Sequence, residues 1–126
     1  MKIEDQDLLL KDLCGRLPYW VKCIVKSDGY IGVITSIESQ YGVVTFDDGR
    51  QEEICDIKPC LYPLSSMTLK QKAELSMLVV GVEDIFKSFL IEVEFYHKHH
   101  IDYRGLIPMG LAIDDTGLNV YKEGTK

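Results

Sequence analysis

The chain's three histidines, His97, His99 and His100, stand together directly before Asp102, Tyr103 and Arg104. Imidazole and carboxylate are the groups that transition-metal binding and general-base catalysis draw on. If a helix runs through this stretch, His97 and His100 share a face at i, i+3, and Asp102 can add a carboxylate ligand. The pattern therefore admits a metal-dependent or hydrolytic enzyme centred on His97, His99, His100 and Asp102. It equally admits a helix C-terminus, where imidazoles bond free carbonyls and meet the negative end of the dipole. Asp102 and Arg104 then form a local ion pair. The second reading asks only for ordinary helix chemistry, so no catalytic residue, metal ligand or cofactor is assigned.

Nucleophilic chemistry finds no better footing. The cysteines, Cys14, Cys23, Cys55 and Cys60, are spaced 9, 32 and 5 apart, with no C-x-x-C pair and no neighbouring histidine. They read as small buried hydrophobes. Nothing local ties Cys14, Cys55 or the Ser65-Ser66 pair to a base. The chain contains no P-loop, no dinucleotide glycine fingerprint and no H-E-x-x-H. The expectation is a non-enzymatic protein.

Composition bounds the partners. With 126 residues, 46% of them hydrophobic, the chain has the size and apolar content of a single domain, 1–126. Net charge is −6, and acidic side chains outnumber basic ones in each of 1–18, 19–64 and 65–126. Phosphate affinity needs clustered Lys and Arg, so no nucleic-acid partner is expected. No apolar run reaches the roughly 18–20 residues of a membrane span, and the opening MKIEDQD is acidic where a signal peptide is basic. A soluble, cytoplasmic protein with no membrane contact is the expectation.

The elements that must position these residues follow from periodicity. In 5–17, Leu9, Leu10, Leu13, Cys14 and Leu17 make one helical apolar stripe, which Gly15 weakens and Pro18 ends. Residues 19–25 read as a strand, 30–37 and 41–46 as two more, and 52–61 as a fourth that Pro59 and Pro63 close. Lys26-Ser27-Asp28-Gly29 and Asp48-Gly49 are turn chemistry, Glu38-Ser39-Gln40 is a polar connection, and Gly32 marks a bulge or close backbone approach. Thr68 and Gln71 match a capping box ahead of a helix over 69–80. Gly81 breaks it. A longer helix over 82–98 then carries Val82, Ile85, Phe86, Phe89, Leu90, Val93 and Tyr96 as an unbroken stripe. Such a stripe must bury itself, most simply on the sheet or the first helix, although a homodimer satisfies it as well. Residues 99–126 read as irregular, with Leu106, Ile107, Leu111 and Ile113 as anchors and loose last residues.

Short strands, tight turns and glycines at the bends predict a small curved antiparallel sheet or barrel over about 19–64. The run Gly32-Val33-Ile34-Thr35-Ser36-Ile37, a Val-rich strand, Asp48-Gly49 and an Ile-containing strand resemble the Tudor-like small barrels. Members of that shape bind methylated or proline-rich peptides or RNA. A methyl-lysine cage would draw on Tyr19, Trp20, Tyr30, Tyr41 and Phe46, although aromatics in small barrels more often pack the core or rim. Three further blocks, LLLKDLCGRLPYWVKC at 8–23, DIKPCLYPLSSMT at 56–68 and HHIDYRGLIPMGLAI at 99–113, resemble a family of short proteins from gut Bacteroides-type bacteria and their mobile elements. That resemblance implies a self-contained domain and brings no catalytic residue or ligand with it. The family usually carries Gly where Trp20 stands. A mobile-element origin also opens an acidic DNA mimic as an alternative, which requires Asp and Glu arrayed on one face at phosphate-like spacing.

The expectation is therefore α+β: an N-terminal helix, a small curved sheet or barrel, and two C-terminal helices packed on it. Its function is protein interaction or an accessory role, with a protein partner or a second copy. The contact surface is assigned to Trp20, Tyr30, Tyr41 and Tyr62 together with His99, His100, Asp102 and Arg104, because exposed aromatic and Arg side chains dominate interface energies.

Overall fold

The structure, a computed structural model, describes residues 2–38 and 40–121. It is mixed α and β. The first helix, α1, spans Ile3–Arg16 and passes into a 3-10 turn at Leu17–Tyr19. Strands β1 (Lys22–Val25), β2 (Ile31–Glu38), β3 (Val43–Phe46), β4 (Gln51–Glu53) and β5 (Ile57–Pro63) follow. Next come α2 (Leu69–Val79) and α3 (Ile85–Lys98), and last two short strands, β6 (Ile101–Asp102) and β7 (Ile113–Asp114).

The seven strands make one sheet in the order β4-β3-β2-β1-β5-β6, with β7 also on β5. The pairings from β4 through to β5 are antiparallel, while β6 and β7 join β5 in parallel. The sheet is open, and the expected barrel is not formed. No ladder among the described residues joins β4 to β5 or β6. The chain leaves the β4 edge through a 3-10 turn at Ile54–Asp56 and crosses to the far side of β1. What would be the inside of a barrel is filled by other elements: Leu9 and Leu13 of α1 and Leu106, Leu111 and Ala112 meet Val21, Cys23, Val25, Ile34, Val44, Phe46, Ile54, Ile57 and Leu61 in one core.

Local chemistry explains most boundaries. Gly29 (φ +76°) and Gly49 (φ +90°) turn the two hairpins in the left-handed region that Gly occupies without strain. Gly32 marks a close approach, since a Cβ there would stand 2.9 Å from Phe46 and 3.0 Å from Tyr30. A register shift between Ile34 and Ser36 bulges β2 instead. Pro59 lies inside β5, opposite Cys23, rather than closing a strand. The Lys26 amide bonds the Asp56 carbonyl, so alternation puts the Cys23–Pro59 pair on a rung where no N–H is needed towards β1. The strand expected from residue 19 begins later, because the chain is still turning there. Trp20 ends that turn with φ 57°, a conformation a Gly adopts freely and a Trp does not. Ser39 of the polar connection and residues 122–126, expected to be loose, lie outside the described residues.

The two long helices depart furthest from expectation. Thr68 and Gln71 form the capping box, the Thr68 hydroxyl accepting from the Gln71 amide at 3.1 Å and Gln71 Oε1 from the Thr68 amide at 3.0 Å. Asp84 caps α3, accepting from the Phe86 amide at 2.9 Å, so that helix starts at Ile85. The pair was expected to lie on the sheet. Instead α2 buries no residue at all, and α3 buries only Phe95 and His97 in its last turns. The core already has a lid in α1 and the 106–112 segment. Only the C-terminal end of α3 reaches the body, against α1 and β6, and α2 leans on α3.

Candidate functional site

The histidine corner is built on the last turns of α1. Asp12 and Arg16, one helical turn apart, are both fully buried. Arg16 donates through Nε to Asp12 Oδ2 at 2.6 Å, and through Nη2 to Asp12 Oδ1 at 3.2 Å and to the Ile101 carbonyl at 2.7 Å. Arg104 Nε donates to the same Asp12 carboxylate at 3.1 Å. One buried carboxylate thus ties α1 to β6 and the loop beyond it. Its partner in sequence terms, Asp102, pairs with neither arginine. It accepts from the Leu106 and Ile107 amides, both at 2.9 Å, and so folds its own loop.

The three histidines separate. His97 lies flat on Gly15 of α1, where a Cβ would come within 2.4 Å of its Cε1. Its Nε2 shares a 2.9 Å hydrogen bond with the Tyr103 hydroxyl. Burial and the Arg16 charge hold its pKa down at about 4, while burial raises that of Tyr103, so both groups are neutral near pH 7. His100 follows α3 with φ 58°, the left-handed residue that closes a helix, and its amide bonds the His97 carbonyl at 3.2 Å. Its ring stacks on Tyr121 at 3.6 Å and 8°, and burial followed by the Arg16 charge lowers its pKa to about 4. His99 turns the other way, its ring tilted against Phe95 at 4.4 Å and 44°. Among the described residues, no three His, Cys, Asp or Glu side chains are grouped to hold a metal ion. The corner is a joint: most of its polar groups pair with one another, and Arg16 Nη1 and His100 Nδ1 are buried without a hydrogen-bond partner among the described residues.

Tyr121 and Gly15 are the parts of that joint that pattern reasoning missed. The Tyr121 hydroxyl accepts from the Lys22 amide at 2.8 Å and donates to the Cys60 carbonyl at 2.8 Å. It fills the rung of the β1–β5 ladder beyond Cys23–Pro59, and burial raises its pKa. A lone Tyr five residues from the end of an irregular stretch gives no periodic signal. Gly15 gave one, and it read as helix weakness when it marks a helix crossing.

The aromatic rim also divides. Trp20 and Tyr41 are exposed, whereas Tyr30 and Tyr62 are half-buried. Tyr30 and Tyr41 lie beyond opposite ends of β2. Tyr30 packs edge-on against Phe46 at 5.3 Å and donates to Asp48 at 2.7 Å, with Arg50 over its ring. Tyr62 faces Tyr121 at 6.1 Å, on the same side of the body as His100. Phe46 is in the core, so the five aromatics considered for a methyl-lysine cage do not enclose one site.

Most of the exposed large apolar side chains lie elsewhere. On α2, on α3 and at the turn between them, Leu69, Met77, Leu78, Val80, Ile85, Phe86, Phe89 and Leu90 are each 52–84% exposed. Between the helices runs a groove of about 710 Å³, walled by Ala73, Met77, Leu78, Ile91 and Phe95 and rimmed by Lys70, Glu74, Glu94 and Lys98. His99 closes its body end and is the one residue shared with the expected contact surface. Soluble monomers rarely expose large contiguous apolar patches.

Against known proteins, the chain matches no family model, no curated protein and no solved structure. No helix of the described residues is long and apolar enough to cross a membrane.

Proposed function

We propose that this protein is a non-enzymatic interaction domain whose contact surface is the apolar face of the α2–α3 hairpin. One observation carries the reading: eight large apolar side chains stand exposed on two adjacent helices and the turn between them, and the helices bury almost nothing in their own fold. Truncating such side chains in a free monomer exposes little new surface, so their apolar character points to a complex rather than to folding. The groove gives anchor side chains a recess to enter, and Lys70, Glu74, Glu94 and Lys98 around it form a polar rim of the sort that borders interfaces. The body then serves as a platform, with the buried Asp12–Arg16 pair, its partner Arg104 at the surface, and the His97–Gly15 contact fixing where α3 emerges.

A photo-crosslinking residue at Phe89, introduced in cells that make the protein, is expected to give a discrete adduct with a protein. The same residue at Glu38, exposed at the end of β2, is expected to give none. No adduct at Phe89, or equal adducts at both positions, contradicts the reading.

A further inference from the structure

Resting on that reading, we infer that the occupant of the α2–α3 face is a second copy of this chain, docked by its own hairpin to make a four-helix bundle about a two-fold axis. Three observations support a copy, and the first of them favours it over an unrelated partner.

The first is charge. Each helix brings one cation and one anion to the rim of the groove, Lys70 and Glu74 on α2, Glu94 and Lys98 on α3. A two-fold interface is self-complementary, so a residue i that meets j is repeated as j meeting i. A rim of two lysines and two glutamates can set every cation against an anion of the copy. A partner of either single sign would face repulsion from half of it.

The second is area. Eight large apolar side chains, each more than half exposed, offer on the order of the ~800 Å² per partner that a standard stable interface buries. The third is the hairpin itself. An isolated helix shorter than about 12–15 residues is marginal in water, and helices in proteins take most of their stability from packing an apolar face. Helix α2 has 11 residues and packs none of them into a core. Two antiparallel pairs of 11 and 14 residues have the topology of an ordinary four-helix bundle.

Sedimentation of the purified chain across micromolar concentrations tests this directly. The expected result is a species of twice 14.4 kDa that becomes a monomer in the double variant F86K/L90K. Both positions are exposed, so the variant keeps the wild-type circular dichroism of the body. A wild-type chain that stays monomeric at every concentration overturns the inference, and so does a variant that remains dimeric. If the chain is monomeric while the crosslinker at Phe89 still captures a different protein, the second copy is refuted and the interaction reading stands. A monomer with no adduct at Phe89 removes both.

Discussion

The body and the hairpin solve the problem of an apolar helix face in opposite ways. Helix α1 carries Leu9 and Leu13 into a core shared with four strands, and its polar Asp12 and Arg16 go in with them, bonded to each other. Helix α3 carries a longer and cleaner apolar stripe, yet turns Ile85, Phe86, Phe89 and Leu90 to solvent and keeps only its last turns for the body. The difference lies in what remained to be covered. Once α1 and the 106–112 segment have closed the sheet, α3 has a joint to make and no core to fill. An apolar stripe states that something must be buried, and says nothing about which chain supplies the other side.

Substitutions on the two sides of that divide should behave differently. The largest effect is expected at the joint. Asp12→Asn leaves the Arg16 guanidinium buried without its carboxylate, a change that destabilises by about 3–5 kcal/mol when an ion pair is this enclosed. Urea denaturation followed by circular dichroism checks it, and a loss within experimental scatter would mean Asp12 is not the anchor.

Acid should act on the same joint. Unfolded, His97 and His100 titrate near 6.5; folded, both are held at about 4, His97 facing Arg16, Asp12 and Arg104, and His100 facing Arg16, His99 and Lys22. Between those values the unfolded chain binds more protons than the folded one. Stability is therefore complete above about pH 6.5 and is lost as pH falls towards about 4. The thermal midpoint should fall by several degrees across that window, and His97→Gln should flatten the slope. A midpoint independent of pH from 6.5 to 4 would contradict the burial of both rings.

Gly15→Ala should come next. In a free helix the exchange stabilises by about 1 kcal/mol. Here the added methyl meets His97 at 2.4 Å, and overpacking of this kind costs about 1–3 kcal/mol. A net loss on thermal melting locates the crossing of α1 and α3, whereas a gain would place α3 farther out. On the hairpin the expectation is smallest: Phe89→Ala should change the stability of the free chain by no more than about 0.5 kcal/mol, as for an ordinary surface position.

Local chemistry was legible in the sequence; long-range pairing was not. The capping box at Thr68, the Asp48-Gly49 hairpin and the break at Gly81 each depend on neighbours within a few residues and stand where the pattern put them, whereas the stripes hold only in part, with Cys14 exposed on α1 and Val82 lying before α3 begins. Closure of the sheet depends on whether β4 finds β5, and the strand patterns of 51–53 and 57–63 carry no information on that. The two parallel partners of β5 are two residues long, too short for any period to show. At the histidine corner, the clustering of His97, His99 and His100 with Asp102 suggested convergence. Helix geometry and the left-handed turn at His100 send the rings to Tyr103, Phe95 and Tyr121 instead. Nor do the rings bond free carbonyls at the end of α3 among the described residues: His97 bonds Tyr103, and it is the His100 amide that meets the His97 carbonyl, while the groove beside them depends on how α2 and α3 pack.

Amide hydrogen exchange on the dilute, monomeric chain measures the divide itself. Amides of β1, β2, β5 and α1 should exchange only through global opening, while those of α2 and of the first turns of α3 should exchange orders of magnitude faster. Raising the concentration until a partner copy binds should then protect the hairpin and leave the body unchanged. Equal protection of hairpin and body in the dilute monomer would contradict the account, because the apolar face would already be buried within one chain.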